Sequence, residues 1–174
     1  LYVIYKIVST INLAKKLKAA FPTYDFVPVY WMATEDHDFE EIASFNLFGN
    51  KYTWETDQKG AVGEMNPEGI MELFDQLKEK PQLFSRAHSE NNNLADAVRQ
   101  YMNGLFGDQG LVCVDGNDHD LKQLFIPVVL DELKNNSAKG LLDKNALELE
   151  SLGQKPQING RDINLFYLDK GLRE

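Results

Sequence analysis

Val27-Pro28-Val29-Tyr30-Trp31-Met32-Ala33 is a continuous apolar and aromatic run, and Thr34-Glu35-Asp36-His37-Asp38-Phe39-Glu40-Glu41 follows it without a break. An unalternating run of this length predicts a strand buried on both faces of a parallel sheet. Pro28 is tolerable near its start. A second apolar run, Gly110-Leu111-Val112-Cys113-Val114-Asp115, predicts another short buried strand, and it too ends in a polar cluster, Asp115-Gly116-Asn117-Asp118-His119-Asp120. If the two strands are parallel, both clusters lie on one rim, and open α/β sheets bind their ligands at the carboxyl ends of their strands.

Outward from these strands the chain reads mostly as helix. Ile4, Ile7, Val8, Ile11, Ala14 and Leu17 recur at three-and-four spacing, and Lys15, Lys16 and Lys18 crowd the last turn before Pro22 forbids continuation. This helix is expected to start at or before Leu1. Ile42 to Phe48 and Tyr52 to Thr56, separated by Gly49-Asn50, predict a hairpin. Asn66-Pro67-Glu68 reads as a helix start leading into Ile70 and Leu77, and His88 falls in a polar, exposed segment before the next helix. That next helix runs from Leu94 to Leu105 and ends at Gly107; another, capped by Asn117-Asp118, runs through Leu121 to Val129, with Pro127 expected to kink or shorten it. A further helix passes through Leu141 to Leu149, and Gln157-Ile158 and Ile163 to Leu168 read as strands. The fold class is α/β, with helices around a mostly parallel sheet and a β-hairpin insertion.

The 174 residues suit one domain, and their 43% hydrophobic content is enough for a core. The net charge of −9 repels polyanions, so nonspecific nucleic-acid and anionic-membrane binding are not expected. The single cysteine, Cys113, cannot form an intrachain disulfide or a multi-cysteine zinc site, which suits a reducing cytoplasm. It reads as an inert core thiol.

The block from Glu35 to Glu41 places five carboxylates around one histidine, and no capped apolar helix obviously follows to explain them. His37 there could act as general acid or base, steady a phosphate, or share a divalent ion with Asp36 and Asp38. Asn117-Asp118, by contrast, reads as a helix cap, which leaves His119 solvated. Trp31 reads as core, although one face of its strand could reach the rim. Arg161 and Asn164 could meet an anionic substrate, or Arg161-Asp162 could be a surface ion pair. Gly60-Ala61-Val62-Gly63 is a turn, and neither a dinucleotide-type nor a P-loop glycine signature occurs.

Tyr30-Trp31-Met32-Ala33-Thr34-Glu35-Asp36-His37-Asp38-Phe39-Glu40-Glu41-Ile42 resembles the signature of the cysteine-adding enzymes of bacillithiol biosynthesis, the cysteine ligases of that thiol pathway. The opening Leu1-Tyr2-Val3-Ile4-Tyr5-Lys6, Trp54 with Gly60 to Gly63, Leu105 to Asp115, and Ile163-Asn164-Leu165-Phe166-Tyr167-Leu168 resemble further family blocks in the family's order. The resemblance implies a single Rossmann-like domain over 1–174, akin to nucleotidyltransferases and class I aminoacyl-tRNA synthetases. It also implies a cytoplasmic enzyme that joins L-cysteine to glucosaminyl malate. Carried over by residue, Glu35, Asp36, His37 and Asp38 match the family's site-lining block and Asp115 its second strand end. His37, Asp36 and Asp38 are thus the catalytic candidates, and Glu35 and Asp115, with Trp31 and Asn164 added from the residues themselves, the substrate- or nucleotide-binding ones. ATP or another nucleotide is the implied cofactor, with Mg²⁺ left open.

Members of the family also carry a Gly-Gln-Gln strand and loop ahead of the segment matching Leu1, and a coiled-coil region for homodimers beyond that matching Glu174. The piece is therefore expected to lack the first strand of its sheet and to be inactive alone. Two other readings stay open: a metal-dependent hydrolase built on Asp36, His37 and Asp38, and a non-catalytic ligand-binding module.

Overall fold

Pro22 has no backbone N–H to continue a helix, and the first helix, α1 (Tyr2–Ala20), ends just before it. The Lys18 ammonium sits at that end, where a cation suits the helix dipole; it donates to Pro22 O at 2.9 Å and pairs with Asp25 at 2.9 Å. The computed structural model describes residues 2–169 and 172–173. Two compact units divide the chain, Leu1–Asn117 and Asp118–Glu174.

The first unit continues with β1 (Val29–Met32), the single turn α2 (Phe39–Ile42), β2 (Ser44–Leu47) and β3 (Asn50–Thr53). A 3-10 turn at Val62–Glu64, then α3 (Ile70–Asp75), α4 (Gln82–Glu90), α5 (Leu94–Phe106) and β4 (Val112–Asp115) complete it. Strands β1 and β4 pair in parallel, Val29 opposite Val112 and Met32 opposite Asp115. Successive strand side chains alternate between faces. Tyr30 and Cys113 therefore turn to one side, where they pack with Val98 and Tyr101 on a core of Ile7, Ile11, Met102, Phe106 and Leu111. Val29, Trp31 and Val112 turn to the other side and stay exposed, Trp31 at 60%. The expected strand buried on both faces is thus corrected: α1 and α5 supply core to one face of a two-stranded sheet. Burial pushes the Cys113 thiol above its usual range, in keeping with an unreactive thiol.

The other local differences also have physical causes. The hairpin turns at Phe48-Gly49, one residue earlier than expected, because both have positive φ (51° and 83°) and close a two-residue turn between β2 and β3. Asn66 accepts from Glu68 N at 2.9 Å, but Gly69 is left-handed at φ 88°, so α3 begins only at Ile70. Asn93, the last of the polar Asn91-Asn92-Asn93, caps α5, accepting from Asp96 N at 2.8 Å.

His88 is not in an exposed polar segment. It lies in α4, half-buried, with its ring edge-on to Phe74 at 5.5 Å and stacked near Tyr101 at 6.1 Å. Its Nδ1–H donates to Phe84 O at 2.8 Å, and burial lowers its pKa from the usual 6.5. A depressed folded-state pKa means the unfolded chain binds the proton first, so stability is full above pH 6.5 and is lost as pH falls toward the lowered value. Amide exchange in α4, corrected for its intrinsic pH dependence, is expected to quicken over that interval. His88→Phe is expected to flatten the response; an unchanged acid response in that variant would contradict the assignment.

In the second unit Asp118 caps α6 (His119–Asn135) by accepting from Leu121 N at 2.9 Å. The helix runs on through Pro127 rather than stopping there. Asn136, left-handed at φ 48°, turns the chain into α7 (Ser137–Ser151). The strand expected at Gln157-Ile158 is irregular chain, and the one expected at Ile163 to Leu168 is irregular up to its last residue: only β5 (Leu168–Asp169) and β6 (Leu172–Arg173) pair, antiparallel. What fixes the irregular chain is the carboxylate of Glu132, 7% exposed, which accepts from Ala138 N at 2.9 Å and from Asn164 N and Nδ2 at 3.0 and 2.8 Å. The Asn164 amide holds the Glu132 carboxyl below its usual pKa. No helix among the described residues is long and apolar enough to cross a membrane.

Candidate functional site

Because β1 and β4 are parallel and in register, their carboxyl ends meet, and the residues after them are tied together. The Thr34 hydroxyl donates to Asp115 Oδ1, and Asn117 N donates to the same carboxylate oxygen at 2.9 Å. The Arg99 guanidinium on α5 reaches Asp115 Oδ2 at 3.3 Å, so both oxygens of this mostly buried carboxylate are occupied. From the other side the 3-10 turn holds the loop: Gly63 N donates to Thr34 O at 2.9 Å and Val62 N to Asp36 O at 2.7 Å. Gly63 has to be glycine for this approach, since a Cβ there would come within 2.9 Å of Thr34 Cγ2 and Thr34 O.

The loop so held is Thr34-Glu35-Asp36-His37. Asp36 Oδ1 accepts from His37 N at 2.7 Å. His37 Nδ1 lies 3.0 Å from Glu35 O, and since a carbonyl only accepts, Nδ1 carries the proton and neutral His37 presents a bare Nε2. Among the described residues nothing hydrogen-bonds that Nε2. Glu35 lays its carboxyl against Gly116, where a Cβ would come within 2.9 Å of Oε1 and 2.8 Å of Cδ. Its Oε2 is enclosed and, among the described residues, has no hydrogen-bond donor, which is uncommon for a buried acceptor.

The remaining candidates are placed differently. Asp38 stands exposed at the start of α2 without a capping hydrogen bond, and Glu40 and Glu41 fall in the first turn of that helix, where acids suit the dipole. Part of the acidic block is therefore helix-end chemistry. Trp31 lies on the open face of β1. Asn164 belongs to the second unit, where its side chain is committed to Glu132 and to Arg161 O, so it works as a strut for the irregular chain of that unit. Asp162 pairs with Lys139 at 2.5 Å, not with Arg161, whose guanidinium lies 5.5 Å from the Phe166 ring centre.

Among the described residues no three His, Cys, Asp or Glu side chains converge as metal ligands, so the hydrolase reading finds no ligand set. Nor do the strand-end residues make a phosphate cradle. Glu35, Asp36 and Glu64 would face the phosphates with like charge, and the cation that reaches the rim, Arg99, already bridges Asp96 and Asp115. The free acceptors of the loop suit a group that brings N–H or O–H.

Thr34, Gly63, Arg99 and Gly116 take part in this site although the sequence reading gave them no role. A signal existed for the glycines, one inside the turn and one directly after a strand. For Arg99 only the i,i+3 pair with Asp96 was readable.

A model of the family described as bacillithiol biosynthesis BshC, N-terminal Rossmann-like domain, matches residues 1–174. The chain belongs to this family. A protein of Flavobacterium psychrophilum named "Putative cysteine ligase BshC" is 48% identical over 186 residues, covering 100% of this chain and 34% of its own. Proteins of the same name from Flavobacterium johnsoniae and Cytophaga hutchinsonii are 44% and 42% identical, over 100% of this chain and 34% and 33% of theirs. The chain thus spans about a third of the length of the curated relatives it matches. The BshC domain match runs across both compact units and includes the whole rim from Thr34 to Asn117.

Proposed function

We propose that this BshC domain carries the amine-handling part of a cysteine ligase in bacillithiol biosynthesis, which joins L-cysteine to glucosaminyl malate. The observation that carries the reading is His37, with Nδ1 committed to Glu35 O and Nε2 bare, on a strand-end loop that also carries the Glu35 carboxylate. An amine at neutral pH is an ammonium ion and must lose a proton before it can attack. The Glu35 carboxylate suits the ammonium form, and His37 Nε2 suits the proton that the amine must lose to become a nucleophile. Asp36 holds His37 through its backbone, and the Thr34–Asp115 bond holds the loop.

Gly116 gives a test that barely touches the fold. It does not have positive φ, and a methyl there meets first the movable end of Glu35, so Gly116→Ala is expected to displace the carboxylate while stability changes by less than about 1 kcal/mol. Titration calorimetry of the full-length protein is expected to show glucosaminyl malate binding weakened at least about tenfold in Gly116→Ala and in Glu35→Gln, the scale of one lost charged hydrogen bond. Unchanged affinity in both variants would remove Glu35 from the site.

A further inference from the structure

We infer that Arg99 is a positioning residue for His37, acting across the sheet end through Asp115 and Thr34. Only the activity readout of this inference rests on the proposed ligase function.

Arg99 is held on its own helix first. Its Nη1 pairs with Asp96 Oδ1 at 2.7 Å, and Asp96 is itself fixed by Asn93, the cap of α5, through Nδ2 at 2.9 Å. The other arm of the fork, Nη2, reaches Asp115 Oδ2. Asp115 is 15% exposed in its side chain, so water screens this end of the pair much less than it screens a surface bridge. With Oδ2 turned to α5, Oδ1 faces β1 and receives the Thr34 hydroxyl and the Asn117 amide. Thr34 begins the loop whose next carbonyl, Glu35 O, takes the Nδ1 proton of His37.

The series runs from guanidinium to carboxylate, hydroxyl, loop carbonyl and imidazole. Without the fork, Oδ2 loses its charged partner, the carboxylate is held through Oδ1 alone, and the acceptor of the Thr34 hydroxyl is less firmly fixed. The loop then loosens, and with it the bond that selects the His37 tautomer. Arg86 offers the contrast: it pairs with Glu90 along α4, both largely exposed, and neither residue belongs to the series.

The test is nitrogen NMR of histidine-labelled full-length protein. In the wild type His37 is expected to show one neutral tautomer, protonated at Nδ1. In Arg99→Ala and in Thr34→Val it is expected to become a mixture, and in the double variant to move no further than in the larger single one. Arg99→Lys keeps the charge without the fork and so guards against a variant that fails to fold; an intermediate mixture is expected. Arg86→Ala is expected to match the wild type. Turnover should fall about tenfold in Arg99→Ala, a loss of about 1.4 kcal/mol in barrier stabilisation, and recover in part with millimolar guanidinium.

A wild-type tautomer in Arg99→Ala and Arg99→Lys, or a double variant equal to the sum of its singles, would overturn the inference. A wild type with the Nδ1–H tautomer but no ligase activity would overturn the functional reading instead, and the tautomer series would still decide the role of Arg99.

Discussion

His37→Ala in the full-length protein is expected to slow ligation by about 10²–10⁴-fold, the usual contribution of a positioned general base. The loss has two separable sources in this geometry. Removing the ring removes the bare Nε2 that would take the amine proton, and it removes the Nδ1–H bond to Glu35 O that helps order the loop. His37→Asn separates them, because its side-chain amide can still donate toward Glu35 O while nothing replaces Nε2. If Nε2 is the base, Asn is expected to be as inactive as Ala, with glucosaminyl malate binding nearly intact. Steady-state rates and calorimetry on the two variants make the comparison, and wild-type rates in His37→Ala would exclude a role for the ring.

The second large effect is on stability. Trp54→Ala is expected to cost about 3–5 kcal/mol, the range for removing a large buried aromatic side chain. Trp54 is 5% exposed, packs with Met65 and Leu94, and meets the Phe39 ring edge-on at 5.2 Å. Its indole N–H donates to Glu68 O at 3.1 Å, and its ring lies against Gly69. Phe39 lies within the acidic block, two residues after His37, so this small cluster fastens the far end of the loop that carries His37. Since domains are stable by only about 5–15 kcal/mol, such a loss leaves little in reserve. Hydrogen exchange is expected to rise first in β2, β3 and the Val62–Glu64 turn, before the β1–β4 pair. Trp54→Phe keeps most of the apolar area and is expected to lose only the hydrogen bond, about 1 kcal/mol. Equal destabilisation by Ala and Phe would mean that the indole bond, rather than packing, holds the cluster.

Local patterns forecast the elements they govern alone. Spacing gave α1, Asn93 and Asp118 marked the starts of α5 and α6, and the two apolar runs gave β1 and β4. Reading failed where a partner distant in sequence decides. Trp31 and Val29 look like core because the run does not alternate, yet α1 and α5 supply core to a single face. Gln82 to Glu90 looks like polar loop, yet it is helix, with Ala87 buried and His88 packed against Phe74 and Tyr101. Asn164 looks like a ligand contact, yet Glu132, thirty-two positions earlier, consumes it.

The site divides in the same way. The block Glu35-Asp36-His37 was legible because five acids beside a histidine at a strand end have little packing value of their own. Three features were not: the tautomer of His37, the donorless oxygen of Glu35 and the reach of Arg99. They depend on Gly116, Asp115 and Thr34 meeting across 81 positions of chain.

The full-length protein, given L-cysteine, glucosaminyl malate and ATP, is the direct measurement of whether this rim belongs to a cysteine ligase. Mass spectrometry of the products should show glucosaminyl malate heavier by one cysteinyl residue, with that species formed at least about a hundredfold more slowly when His37→Ala replaces the wild type. A folded wild-type protein that binds neither substrate and forms no such species would contradict the assignment.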